Sequence, residues 1–473
     1  MKIHISFFMY IAVGFCILWL SGCSHKDTMQ SFNDKYYSGN LTSAYKLAKS
    51  KYDDKDDMVL WGFESGVIAS QLNDQESFAL LDESEKIFSQ YEQEGLFSGI
   101  FSGAASVVIN ENVTTYRGNI YEGVLMNYYK ALVLMKEGKN ALARVEFNRA
   151  NDRQRRAKDY FAKDIQKAMM DQEAQNAKDT STQSLNTRQT TNEANSILAQ
   201  QYSNLKAYQA YNNFINPAVS YVSALFFMLE SDWAKSLDLY KESYGMSKAK
   251  VIDEDIQVLE SRRKQVKNFY TWLIIEDGIS PTKEEVTINL PTYLVSSNVL
   301  HTGVAFPKLV AGKEFYTNLK VIGDNKTFNV STIADLEGVI ANEFQAQFGF
   351  IMTRAISSAV LKAATQATLS DQVGIYGSLV GMIYSLSTIS ADVRSSSVLP
   401  KKIHAVQIPN TQGKYQLIGN QKPLINLEIS PACQPQNNTT LSAQKLILCQ
   451  KNDNILYIRL RPATISIQKL RGQ

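Results

Sequence analysis

The chain is short of histidine, with four in 473 residues, and none belongs to a His-Glu-x-x-His pair. Zinc hydrolysis needs imidazoles at fixed spacing, so that chemistry has no carrier here. His301 and His404 read as strand-surface or satisfied core side chains, and neither a metal-ligand set nor a cofactor is expected. A Gly-x-Ser-x-Gly elbow and a Gly-x-x-x-x-Gly-Lys phosphate loop are also missing. Acidic pairs such as Glu284-Glu285 and Asp56-Asp57 are adjacent, so their side chains diverge and read as solvated surface. No residue is assigned a catalytic role. An excess of one charge is lacking too: Lys plus Arg number 49 against 46 Asp plus Glu, a formal +3, which gives no basic footprint for nucleic acid.

Cysteine is scarce, with four residues and no Cys-x-x-Cys. Long apolar runs are scarce as well. The run from Phe7 to Leu20 follows Lys2 and His4 and falls short of the ~20 residues a membrane span needs. Its layout is that of an export signal over residues 1–22. The ending Leu20-Ser21-Gly22-Cys23 resembles a bacterial lipobox, which makes Cys23 the expected acylated first residue of the mature chain. Each buried acyl CH₂ contributes ~0.8 kcal/mol, so several chains anchor firmly. Ser24 and His25 follow where the lipoproteins this resembles carry Asp for inner-membrane retention, which implies the outer membrane. Cys433 and Cys449 then remain. In an oxidising compartment they are expected to form one disulfide across a C-terminal hairpin, two free thiols being the alternative.

From about 28 to 265 the apolar period is helical. Ala131, Ala143, Phe147 and Ala150 place small and aromatic residues as in a helix hairpin of the tetratricopeptide kind, and Ala224, Ser236, Tyr240 and Ser243 repeat the frame. Weaker copies run through Tyr36, Ala44 and Ala48, and through Trp61, Gly66, Asn73, Phe78 and Phe88. Residues 171–195 are polar and read as a solvated helix extension or a mobile loop. The stretch Phe97 to Ile109 reads as a buried crossover, with a membrane-contacting loop as the alternative. After residue 266 strand-like runs appear at 269–275, 286–290, 303–306, 315–322, 404–408, 415–418, 425–429, 446–448 and 455–460. Helices are expected from Ile333 to about Leu369 and from Val373 to Ile389, the second carrying Gly377-x-x-x-Gly381. The expected fold is therefore an α-helical TPR-like solenoid over 23–265, followed over 266–473 by an α+β domain. That domain combines a mostly antiparallel sheet with a helical hairpin.

Several stretches together resemble an uncharacterised family of Gram-negative outer-membrane lipoproteins with a TPR-like front half. They are Glu122 before Tyr128-Tyr129-Lys130-Ala131-Leu132, then Ala143-Arg144-Val145-Glu146-Phe147, and Asn216-Pro217 before Ser220-Tyr221. Further on come Glu276-Asp277-Gly278 with Pro281 and Lys283, Thr353-Arg354-Ala355-Ile356 with Lys362, and Asp392-Val393-Arg394-Ser395 with Leu399-Pro400. Ser396 departs from the pattern, where tryptophan is frequent. The resemblance implies no established activity. It implies gene neighbours that resemble activators of penicillin-binding proteins, and so an association with envelope assembly.

The expected role is that of a lipid-anchored periplasmic scaffold or adaptor facing protein partners in the cell envelope, held to the membrane through its N-terminal acyl chains. The alternative is a component of an outer-membrane secretion, pore or surface-structure complex, with an envelope hydrolase a third reading. Partner contact is expected at Arg144, Arg149 and Arg153, whose guanidinium groups suit an acidic segment if they line an exposed helix face; the alternative is a solvated face with Glu146 pairing Arg149 or Arg153.

Overall fold

The computed structural model describes residues 25–96, 115–176, 214–289, 303–323, 325–348, 351, 391–431 and 446–472. The first part is helical: α1 (25–37), α2 (Leu41–Asp53), α3 (Met58–Leu72), α4 (Ser77–Glu94), α5 (Ile120–Lys136), α6 (Asn140–Asn176), α7 (Pro217–Leu229), α8 (Trp233–Ser247) and α9 (Lys250–Arg263). The period then changes. Strands β1 (Tyr270–Asp277), β2 (Thr282–Asn289), β3 (Gly303–Val310), β4 (Lys320–Gly323), β5 (Lys326–Asn329) and β6 (Ser331–Asp335) precede α10 (336–348). After it come β7 (Lys402–Pro409), β8 (Gly413–Gly419), β9 (Lys422–Ser430), β10 (Leu446–Cys449), β11 (Asn454–Leu460) and β12 (Ile465–Arg471).

Three helix hairpins share one packing frame. In α3–α4, Ser77 Oγ donates to Gly66 O at 2.8 Å and Ser84 Oγ to Val59 O at 2.7 Å. In α7–α8, Ser236 Oγ donates to Ala224 O and Ser243 Oγ to Pro217 O, both at 2.8 Å. In α5–α6 the corresponding positions are Ala143 and Ala150, fully buried. The residue four after the first small one, Leu81, Phe147 or Tyr240, is fully buried in each. Small side chains let the paired helices approach, and the serine hydroxyls are satisfied by carbonyls of the facing helix. A Cβ on Gly66 would sit 2.7 Å from Leu81 Cγ, so that approach requires glycine.

The strands form two five-stranded sheets, ordered β12-β11-β1-β7-β6 and β10-β9-β8-β4-β5, with β2 and β3 as a separate ribbon. Most pairs are antiparallel, but β1 runs parallel to β11 and β9 parallel to β10. The strands flanking the expected C-terminal hairpin, β9 and β10, thus pair in parallel, whereas a hairpin pairs antiparallel, which corrects that expectation. Residues 333–335 also belong to β6 rather than to the start of a helix. The 315–322 run is strand only from Lys320, and β12 was not expected.

The first sheet is the middle layer of three. Trp272 and Ile274 of β1, with Ile403, Ala405, Ile455 and Tyr457, share a hydrophobic cluster with Trp61, Tyr128, Phe147 and Phe226 of the helices. The intervening residues Leu273 and Ile275 face Leu417, Leu427 and Leu448 of the second sheet. Strands covered on both faces lose the alternation of a half-exposed strand and read as continuous apolar runs. The observed class is mixed helix and sheet, with the helices packed on the sheet through one shared core.

Candidate functional site

The boundary between helices and the first sheet is a polar seam inside that core. Glu276 of β1, fully buried, accepts hydrogen bonds from Tyr129 Oη of α5 at 2.6 Å and Tyr457 Oη of β11 at 2.5 Å. Arg459 Nε lies 2.8 Å from Glu276 Oε2 as an ion pair without hydrogen-bond alignment, and Arg461 lies at 3.6 Å. Both arginines also reach loop or helix carbonyls, Arg459 donating to Val67 O and Arg461 to Val398 O. Arg459 stacks over Tyr129 and Arg461 over Tyr36.

The segment 391–399 continues the seam. Arg394, 3 % exposed, donates to both oxygens of Asp57 at 2.9–3.0 Å and to Asp392. Glu122 accepts from Ser396 N at 2.8 Å while its other oxygen takes Asn119 N, the entry of α5. Glu343 of α10 accepts from Ile120 N and Tyr121 N at 2.8 and 2.9 Å, a carboxylate set on the helix N-terminus where the peptide dipole favours it. Glu64 accepts from Ser397 N at 2.6 Å. Burial is the main cause that lifts the Glu64 carboxyl to about 8 and that of Glu343 to about 7. The same cause raises Asp255, which binds Tyr221 and Trp272, to about 7. Glu122, Glu276, Asp392 and Arg394, all quoted above for the family resemblance, therefore bind helices, sheet and the 391–399 segment together. Buried charges that lose a partner cost about 3–5 kcal/mol, so a shifted docking of these layers is strongly disfavoured.

The three arginines expected on one exposed face part company. Arg153 is 6 % exposed and is held inside by Glu85 at 2.7 Å, Glu92 at 3.1 Å, Gly123 O and Asn127. It is a core cation, which corrects its placement on an exposed face; the i+4 spacing from Arg149 crosses the helix's inner edge. Arg144 pairs with Asp232 at 2.9 Å and packs over Phe227. Arg149 is 55 % exposed and pairs with Glu146 at 2.8 Å. Beside Arg149 stand two apolar side chains that no sequence pattern marks out: Leu142 is 53 % and Val145 41 % exposed. At spacings of three and four residues, Leu142, Val145 and Arg149 share one outward stripe of α6, while Ala143, Phe147, Ala150, Gln154 and Ala157 line the inner one.

His404 is neither the strand-surface nor the fully satisfied core histidine expected. It is 5 % exposed, Thr332 Oγ1 lies 3.0 Å from its Nδ1, and its Nε2 has no hydrogen-bond partner. Asp277 and Glu314 stand beside it, with one ligand atom from each residue within 4.8 Å of the others. The spacing 277, 314, 404 has no motif to announce it. Burial lowers the His404 imidazole to about 4 and raises the Asp277 carboxyl to about 6.

Cys23 and Cys433 lie outside the described residues, as do Phe97 to Ile109, Arg354, Lys362 and 373–389. Helix α6 reaches Asn176, so the first six residues of the polar stretch 171–195 extend a helix, and the remainder lies outside the described residues. Cys449, at the end of β10, is disulfide-bonded. Among the described residues no helix is long and apolar enough to cross a membrane. No family model, curated protein or solved structure matches the chain.

Proposed function

We propose that the protein is a lipid-anchored adaptor of the cell envelope that binds a protein partner through the outer stripe of α6. The observation that carries this reading is the stripe itself. Two large apolar side chains, Leu142 and Val145, stand in water beside Arg149 on a helix whose other face is locked in the core. Apolar contact with an arginine at its edge is the composition of interface centres, and it suits a partner segment that is apolar and acidic. The TPR-like hairpin frame supports the same reading, because stacked helix pairs commonly present such faces.

Anchoring is the second half of the proposal and rests on the lipobox-like start. His25 lies 3.7 Å from Asp57 and packs near Trp61, so the folded body begins two residues after Cys23. Two residues span at most ~7 Å, and acyl chains on Cys23 would hold the body against the bilayer without a tether. A Cys23→Ser protein is expected in the soluble fraction after envelope fractionation, whereas a variant that still pelleted after a carbonate wash would reveal another anchor. Reversal of the α6 stripe tests the adaptor role. A place in a secretion, pore or surface-structure complex is the second reading, and the identity of the recovered partner separates the two.

A further inference from the structure

We propose that Asp277, Glu314 and His404 form a binding site for one divalent cation of the zinc class. They come from the end of β1, the loop before β4 and the body of β7, and one ligand atom of each lies within 4.8 Å of the others. Strand register brings two of them together. Asp277 pairs with Lys402 across β1 and β7, and His404, two residues along β7, projects to the same face. Gly278 brings in the third. Its φ is +84°, and a Cβ there would lie 2.3 Å from Lys313 O and 3.2 Å from Glu314 Cα, so only glycine lets the loop close on the strand end.

Each ligand is fixed by one atom and offers another. His404 is oriented by Thr332, its directly opposed neighbour on β6, through Nδ1, which leaves the unpartnered Nε2 for a metal. Metal-binding imidazoles commonly give their far N–H to a carboxylate, carbonyl or water, and here the Thr332 hydroxyl oxygen stands in that place. Asp277 is fully buried; its Oδ2 accepts from Phe315 N at 3.3 Å and Tyr316 N at 3.2 Å, while Oδ1 has no hydrogen-bond partner. Glu314 keeps Lys402 Nζ on Oε2 at 2.7 Å and has a second oxygen to give. A buried imidazole nitrogen and a buried carboxylate oxygen left without partners are costly, and one cation satisfies both.

The donor set selects the class of ion. One imidazole nitrogen with two carboxylate oxygens suits zinc and its transition-metal neighbours, whereas calcium takes six or more oxygens and magnesium keeps its waters. Zinc holds ligands at ~2.0–2.2 Å, which places them roughly 3.4 Å from one another, so atoms within 4.8 Å close by at most about 1.4 Å on loading. Three protein ligands leave a fourth position for water or a partner's side chain. The site does not depend on the adaptor reading.

The test is titration of the full-length mature protein, purified in detergent and stripped with a chelator, with Zn²⁺, Mn²⁺ and Ca²⁺ separately, followed by calorimetry and metal analysis. One zinc per chain is expected, with no uptake of calcium. Thr332→Val should weaken zinc ~10–100-fold, and Glu314→Gln, Asp277→Asn and His404→Gln at least as much. Because Asp277 and His404 are buried, Glu314→Gln on the half-exposed loop serves as the variant least able to disturb folding, with circular dichroism to verify it. Failure of the stripped protein to take up zinc stoichiometrically would overturn the site. So would undiminished zinc affinity in a folded Glu314→Gln protein.

Discussion

Glu64 shows what a buried carboxyl does at the level of one side chain. It sits in α3 with no exposure, one oxygen on Ser397 N and the other without a partner. Burial holds its folded-state carboxyl near 8, above the value of an unfolded chain, so the folded form keeps a proton that the unfolded form gives up. The stabilisation this provides is complete below the unfolded pKa of about 4.3 and is lost as pH rises through about 8. Glu343 and Asp255, each lifted to about 7, act in the same direction. The melting temperature is therefore expected to fall between about pH 5 and 8, and Glu64→Gln should flatten part of that slope. A melting curve series in which Glu64→Gln leaves the slope unchanged would contradict this assignment. Arg153 carries the complementary lesson. Its neighbours in sequence suggest an exposed row, but the glutamates that enclose it, Glu85 and Glu92, come from another helix, and no local pattern announces them.

At the level of elements, the helix hairpins were the most legible part of the chain. Ala131, Ala143, Phe147 and Ala150 carry the frame openly, and all four are fully buried. The α3–α4 hairpin has the same frame in Ser77, Leu81 and Ser84, but Leu81 in place of the aromatic hides it, and Asn73, Phe78 and Phe88 lie out of that register. What these seam positions need is small volume; the hydroxyl is a secondary gain. Ser236→Ala with Ser243→Ala should keep the fold at a cost of about 1 kcal/mol each, whereas Ser236→Leu should cost more by forcing the helices apart. Thermal denaturation distinguishes the two, and equal losses from alanine and leucine would refute the volume argument. Strands were less legible. β6 runs directly into α10, so its apolar residues merge with the helical period. β12 alternates in burial, but two of its buried positions, Ser466 and Gln468, are polar, and β10 pairs in parallel with β9 where a hairpin is expected.

For the molecule as a whole, local patterns showed that helices precede strands but not that they share a core. Trp272 meets the helical layer through Asp255 Oδ1, 2.7 Å from its Nε1, and Glu276 meets it through Tyr129. The second contact joins residues far apart in sequence, and so does the group Asp277, Glu314 and His404. The inner face of α6 belongs to that shared core, while Leu142 and Val145 on its outer stripe stay exposed.

The most direct test of that role is partner recovery from detergent-solubilised envelopes with Leu142→Asp combined with Arg149→Glu. The control is Lys326→Glu with Lys422→Glu, two exposed positions on the second sheet. Because Arg149 pairs with the buried Glu146, the melting temperature of both variants is measured alongside recovery, so that a loss of binding is separated from a loss of fold. A desolvated charge-assisted bond is worth about 1.5–3 kcal/mol, and the stripe variant is expected to lose its partner roughly ten- to hundredfold while the control retains it. Equal recovery of the same partner by both variants would contradict the assignment of α6 as the binding face.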